Sequence, residues 1–98
     1  AQKMGELFRA RLDKMKEKSN LVKLVRGKGL LNAMVINDTE DSSTAWDICI
    51  LMKNNGLIAK PTHGNIIRFA PPLVINSEEI NSSCNIIEKS ILEYESAN

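Results

Sequence analysis

Arg68 stands inside the run Asn55-Gly56-Leu57-Ile58-Ala59-Lys60-Pro61-Thr62-His63-Gly64-Asn65-Ile66-Ile67-Arg68-Phe69-Ala70-Pro71-Pro72. A guanidinium in an otherwise apolar strand is costly unless it is paired. No Asp or Glu occurs between Gly56 and Asn76 to pair with it. Three readings stay open. The side chain reaches water along its aliphatic stem, it pairs with a carboxylate from a distant part of the chain, or it binds a carboxylate ligand through its planar fork. The last makes this run a candidate substrate-binding element.

Other residues invite chemistry and give less. Gly27-Lys28-Gly29 has the glycines of a phosphate loop but neither the length nor the Ser/Thr of a Walker motif, so a tight turn or bulge with an exposed lysine is favoured. His63, the one histidine, has no Cys, Asp or Glu beside it for a metal site or a triad. It reads as a turn residue that hydrogen-bonds locally. Lys60 could form a Schiff base if its pKa were depressed, but a strand-end lysine in water is the simpler reading. Cys49 and Cys84 lack metal-ligand spacing. They read as small apolar residues in predicted helices, in a reducing compartment, with a disulfide the lesser alternative. The triplets Asn37-Asp38-Thr39 and Asn81-Ser82-Ser83 match the glycosylation sequon and are uninformative.

Bulk properties exclude whole classes of function. The chain has 98 residues, 43% of them hydrophobic, enough for one domain with a core of its own. A net charge of +1 gives no field for nucleic acid or a membrane surface. One Trp, one Tyr and two Phe do not make a base-stacking platform. No apolar run approaches the length of a bilayer span, and no signal-peptide pattern opens the chain. Residue 1 is Ala and a helical pattern begins at once, so the chain is expected to be a piece of something longer.

The elements that must position Arg68 follow from periodicity. Met4, Leu7, Phe8, Leu12 and Met15 predict a helix over 2–18, with Arg9, Arg11, Lys14 and Glu17 outward. Leu21–Val25 and Leu30–Ile36 read as a paired hairpin, the second strand buried on both faces. After a polar loop, Thr44–Asn54 reads as a helix with Ala45, Trp46, Cys49, Ile50 and Met52 inward, stopped by Asn55-Gly56. Leu57–Ala59 is expected as a short strand, 60–65 as a loop, and Ile66–Phe69 as a strand ended by Pro71-Pro72. Ser77 is expected to cap a last helix whose stripe is Ile80, Cys84, Ile87 and Ile91, extended by Ile86 and Tyr94. The order predicts an α+β domain: a small, mostly antiparallel sheet with three helices packed on one face.

Three stretches together carry a resemblance: Val25-Arg26-Gly27-Lys28-Gly29-Leu30-Leu31-Asn32-Ala33, Asn55-Gly56-Leu57-Ile58-Ala59-Lys60-Pro61-Thr62-His63-Gly64, and Ile66-Ile67-Arg68-Phe69-Ala70-Pro71-Pro72-Leu73. Nearly the whole chain resembles the carboxy-terminal small domain of the ornithine aminotransferase family, within the class III pyridoxal-phosphate aminotransferases. Related acetylornithine and ω-amino-acid aminotransferases share the Arg-Phe-Ala-Pro-Pro strand end more loosely. The lysine-rich first helix and the Asn- and Ile-rich tail are more similar to an apicomplexan version than to an animal one. The resemblance implies a fold-type I enzyme that moves the δ-amino group of L-ornithine to 2-oxoglutarate, giving glutamate and glutamate 5-semialdehyde. It implies a homodimer; the expected location is cytoplasmic, with the mitochondrial matrix as the alternative. It also implies that Arg68 binds the α-carboxylate of 2-oxoglutarate or glutamate, and that a large-domain glutamate holds it during the ornithine half-reaction. The family's Schiff-base lysine and phosphate-binding groups belong to the large domain, so neither Lys28 nor Lys60 is assigned to the cofactor. The segment alone is expected to be inactive and to hold no pyridoxal phosphate (PLP). A reading from another class is a stand-alone α+β module that binds amino acids or partners through Arg68.

Overall fold

The computed structural model describes residues 2–28, 31–69 and 76–97. Helix α1 (Gln2–Lys18) is followed by strands β1 (Val22–Lys28) and β2 (Leu31–Ile36), helix α2 (Thr44–Asn54), strands β3 (Lys60–His63) and β4 (Ile66–Phe69), and helix α3 (Ser77–Ala97). The four strands form one sheet in the order β1-β2-β4-β3, with every pairing antiparallel. Helix α1 packs on β1 and β2, α2 on β3 and β4, and α3 against both helices. This is the α+β architecture that the alternation of elements predicts.

The core lies between the helices and one face of the sheet. Phe8, Leu12 and Met15 of α1 meet Met34 and Ile36 of β2, Ile67 and Phe69 of β4, and Ile80, Cys84, Ile87 and Ile91 of α3, all buried. Phe8 and Phe69 meet edge to face, ring centroids 5.6 Å apart at 60°, the geometry the ring quadrupoles favour. Polar side chains tie the layers together. Arg9 Nη1 donates to Asn32 Oδ1 of β2 at 3.0 Å. Arg11 donates to Asn81 Oδ1 and Asn85 Oδ1 of α3 at 2.7 and 3.0 Å. Neither arginine is therefore a simple outward charge, as the helical pattern had it.

Several sequence expectations are corrected. Gly27 and Lys28 belong to β1, paired with Asn32 and Leu31, rather than to a turn. The third strand is Lys60–His63, not Leu57–Ala59. Leu57 and Ala59 do pack against the core, but as an extended connection, with Ile58 left 81% exposed between them. Pro61 is tolerated in β3 because β3 is an edge strand, where a missing N–H costs no internal ladder bond. In α2 the inward face is Ala45, Ile48, Cys49 and Met52. Trp46 and Ile50, expected inside, are each 56% exposed.

The cap of α3 is Asn76 rather than Ser77. Asn76 Oδ1 accepts from the Glu79 amide at 2.9 Å, and Glu79 Oε1 accepts from the Asn76 amide at 3.3 Å. These reciprocal bonds satisfy two otherwise orphaned donors. Ser90, on the buried stripe of α3, is satisfied as well: its hydroxyl donates to the Ile86 carbonyl at 2.8 Å and accepts from Asn55 Nδ2 at 3.1 Å. The strand end at Pro71-Pro72 lies outside the described residues.

Candidate functional site

Strand register decides which side chains meet. Arg68 of β4 stands opposite Ala33 of β2 on one side and Lys60 of β3 on the other. Ala33 in turn stands opposite Arg26 of β1. Side chains directly opposite one another share a face of a sheet. A single row across all four strands therefore reads Arg26, Ala33, Arg68, Lys60. Met34 and Ile67, one position along, are fully buried beneath the helices, so this row lies on the other, open face. The next row on that face is Leu24, Val35, Ile66 and His63. The open face thus carries one cationic row and one largely apolar row.

Arg26, Lys60 and Arg68 are all exposed, and they line a groove of about 850 Å³ with Ala33, His63 and Ile66. No Asp or Glu lines it among the described residues. The reason is in the sequence: the acids lie on the helices and in the 38–41 loop, and no strand contains one. An ion pair joins Lys18 of α1 to Glu88 of α3 at 3.8 Å, on the helical side of the sheet. Of the three sequence readings, an internal ion pair for Arg68 is thus not formed among the described residues. The guanidinium faces water, where a carboxylate can reach it.

The hairpin that carries Arg68 is pinned at its turn. The Gly64 amide donates to the Glu40 carbonyl at 3.0 Å, the Gly64 carbonyl accepts from the Ala45 amide at 2.9 Å, and Ser42 Oγ donates to it at 3.1 Å. The approach is so close that a Cβ at Gly64 would fall on the Ser42 carbonyl and within 2.6 Å of the Glu40 carbonyl oxygen. The loop is held in turn by Thr44 Oγ1, which donates to Asp38 Oδ2 at 2.5 Å. Bonds from Thr44 and from the Thr39 amide hold the Asp38 carboxyl below its usual pKa.

His63 ends β3, with its imidazole exposed and without a hydrogen bond among the described residues, so the local hydrogen bond expected for it does not form. Lys60 is a strand residue beside Arg68 rather than a loop lysine. Sequence reasoning weighed Lys60 alone and did not single out Arg26. The signal that could have joined them to Arg68 is the absence of acids from the sequence stretches 21–37 and 57–76. Cys49 and Cys84 are free and buried. No group of three His, Cys, Asp or Glu side chains among the described residues is placed to hold a metal. No described helix is long and apolar enough to cross a membrane.

A family model described as aminotransferase class III matches residues 1–91. The chain belongs to the class III aminotransferases. Among curated relatives, the mitochondrial ornithine aminotransferase of Rattus norvegicus is 55% identical over 94 residues, which is 96% of this chain and 21% of the relative. Among solved structures, the acetylornithine aminotransferase of Elizabethkingia anophelis superposes with a TM-score of 0.92 at 62% identity, over 95% of this chain and 24% of that one. The ornithine aminotransferase of Toxoplasma gondii superposes with a TM-score of 0.86 at 38% identity, over 99% and 22%. The chain thus spans about a fifth of the length of the class III relatives it matches. These values lend no support to an apicomplexan origin.

Proposed function

We propose that this chain is the carboxy-terminal small domain of an ornithine aminotransferase, and that Arg68 binds the α-carboxylate of 2-oxoglutarate or glutamate. The observation that carries the reading is an exposed arginine that, among the described residues, has no partner and stands in a groove lined by no acid. A guanidinium so placed offers two parallel donors to a carboxylate. The whole enzyme then moves the δ-amino group of L-ornithine to 2-oxoglutarate, yielding glutamate 5-semialdehyde and glutamate. Identity to the rat ornithine aminotransferase supports this donor. A glutamate from the large domain, outside this chain, would mask Arg68 while ornithine reacts. An incoming acid must then outcompete it.

The family is PLP-dependent, and the Toxoplasma enzyme is described with PLP at partial occupancy in its active site. The residues of this chain do not fit that group. The Schiff-base lysine and phosphate-binding groups are expected in the large domain. Every lysine whose side chain the structure describes is exposed, and Lys60, although beside Arg68, stands on the open sheet face and not in an enclosed pocket. The cofactor, the large domain and a homodimeric partner belong to the complete protein, and this segment contributes substrate positioning. The rat relative is a mitochondrial protein by name, which favours the mitochondrial matrix over the cytoplasm.

A second donor, N-acetylornithine, is favoured by the likeness to the Elizabethkingia enzyme. Steady-state kinetics of the full-length enzyme separates the two and tests Arg68. L-Ornithine should be the better donor. Arg68→Ala should raise KM for 2-oxoglutarate tenfold or more, since a charge-assisted contact contributes about 1.5–3 kcal/mol, with a much smaller change for ornithine. An equal rise for both substrates contradicts the assignment.

A further inference from the structure

The cationic row extends beyond Arg68, and its extension has a consequence for the acid substrate. Lys60 stands directly across from Arg68 on the neighbouring strand, roughly 5 Å away at the backbone. Both side chains are exposed in the same groove. Like charges placed opposite each other destabilise a sheet. Among the described residues no acid lines the groove to offset them, and the sequence stretches 21–37 and 57–76 contain none. An anion seated between the two head groups relieves that repulsion and gains a second charged contact.

We propose that Lys60 is a second anion-binding residue of the acid site: one substrate carboxylate bridges the Arg68 guanidinium and the Lys60 ammonium. This rests on the reading of Arg68 given above. Arg26 lies on the far side of Ala33, two strand spacings or roughly 10 Å from Arg68. It adds to the field without sharing the carboxylate. The arrangement also selects by charge. It attracts a 2-oxo dicarboxylate, the more strongly for its two negative charges.

A lysine on an edge strand has another use, since it blocks pairing with a second sheet. Kinetics distinguishes the two roles. In the full-length enzyme, Lys60→Gln should raise KM for 2-oxoglutarate about two- to fivefold, the range of one exposed charge contact. It should leave KM for ornithine unchanged and flatten the rise of KM with added salt. Lys60→Arg should restore KM, and Arg26→Gln should have a smaller effect than Lys60→Gln. Thermal unfolding of each variant verifies that the fold is retained. A Lys60→Gln enzyme with wild-type KM and salt response, beside an Arg68→Gln enzyme with raised KM, overturns this inference and leaves Arg68 in place. Silence in both variants overturns the Arg68 reading as well.

Discussion

Cys49 and Cys84 hold their protons more tightly than ordinary thiols, because burial disfavours the thiolate and pushes each pKa up to about 11. For Cys84 the Arg11 charge pulls the other way and Glu88 adds to the rise. The unfolded chain sheds these protons near pH 9 while the folded chain keeps them. The stability linked to the protonated thiols is therefore intact below pH 9 and lost as pH climbs towards 11. The urea midpoint should fall over that window, and the fall should be shallower when both residues are alanine. An equal fall in that double variant would contradict the burial argument. Their packing role was legible in the sequence, because cysteines at helical spacing without metal-ligand neighbours have little else to do. Arg68 was legible for a related reason: an isolated charge in an apolar strand stands out. Arg26 and Lys60 were not, because their significance lies in cross-strand register, which one strand's sequence does not contain.

At the scale of elements, the β3–β4 hairpin fixes where Arg68 points, and its turn is locked to the loop before α2. Gly64→Ala should destabilise the domain by about 1–3 kcal/mol, the usual range for forcing atoms into occupied space. The added methyl meets backbone carbonyls that have no rotamer to escape into. Chemical denaturation measures the loss, and a variant as stable as the parent would show that the loop yields. Helix positions were readable because period 3.6 repeats over many residues, so 2–18 and 44–54 match the structure. The short strands were harder. Leu57–Ala59 reads as a strand because it is apolar, yet the ladder starts at Lys60 and runs through Pro61. The position of β3 at the sheet edge makes that possible, and edge position is a property of the assembled sheet. Trp46 and Ile50 misled for the opposite reason: they continue an apolar pattern around α2 onto the face turned away from this core.

At the scale of the whole molecule, charge is sorted by layer. The acids sit on the helices and in the 38–41 loop, while the strands carry Lys23, Arg26, Lys28, Lys60 and Arg68 with no acid among them. A net charge of +1 conceals this separation. The result is a domain whose helical side builds the core and whose open sheet face carries the cationic row. Leu24, Ile58, Trp46, Ile50 and Leu92 remain exposed on its surfaces, in keeping with a segment that spans about a fifth of its relatives' length. The central claim is that Arg68 serves the acid half of the reaction and not the ornithine half. Single-turnover measurement of each half-reaction separately, in full-length enzyme carrying Arg68→Gln, tests it most directly. The apparent Kd for 2-oxoglutarate should rise about tenfold or more, the equivalent of losing a charged hydrogen-bonded contact, while that for ornithine stays within about twofold. A parallel weakening of both, or of ornithine alone, would contradict it.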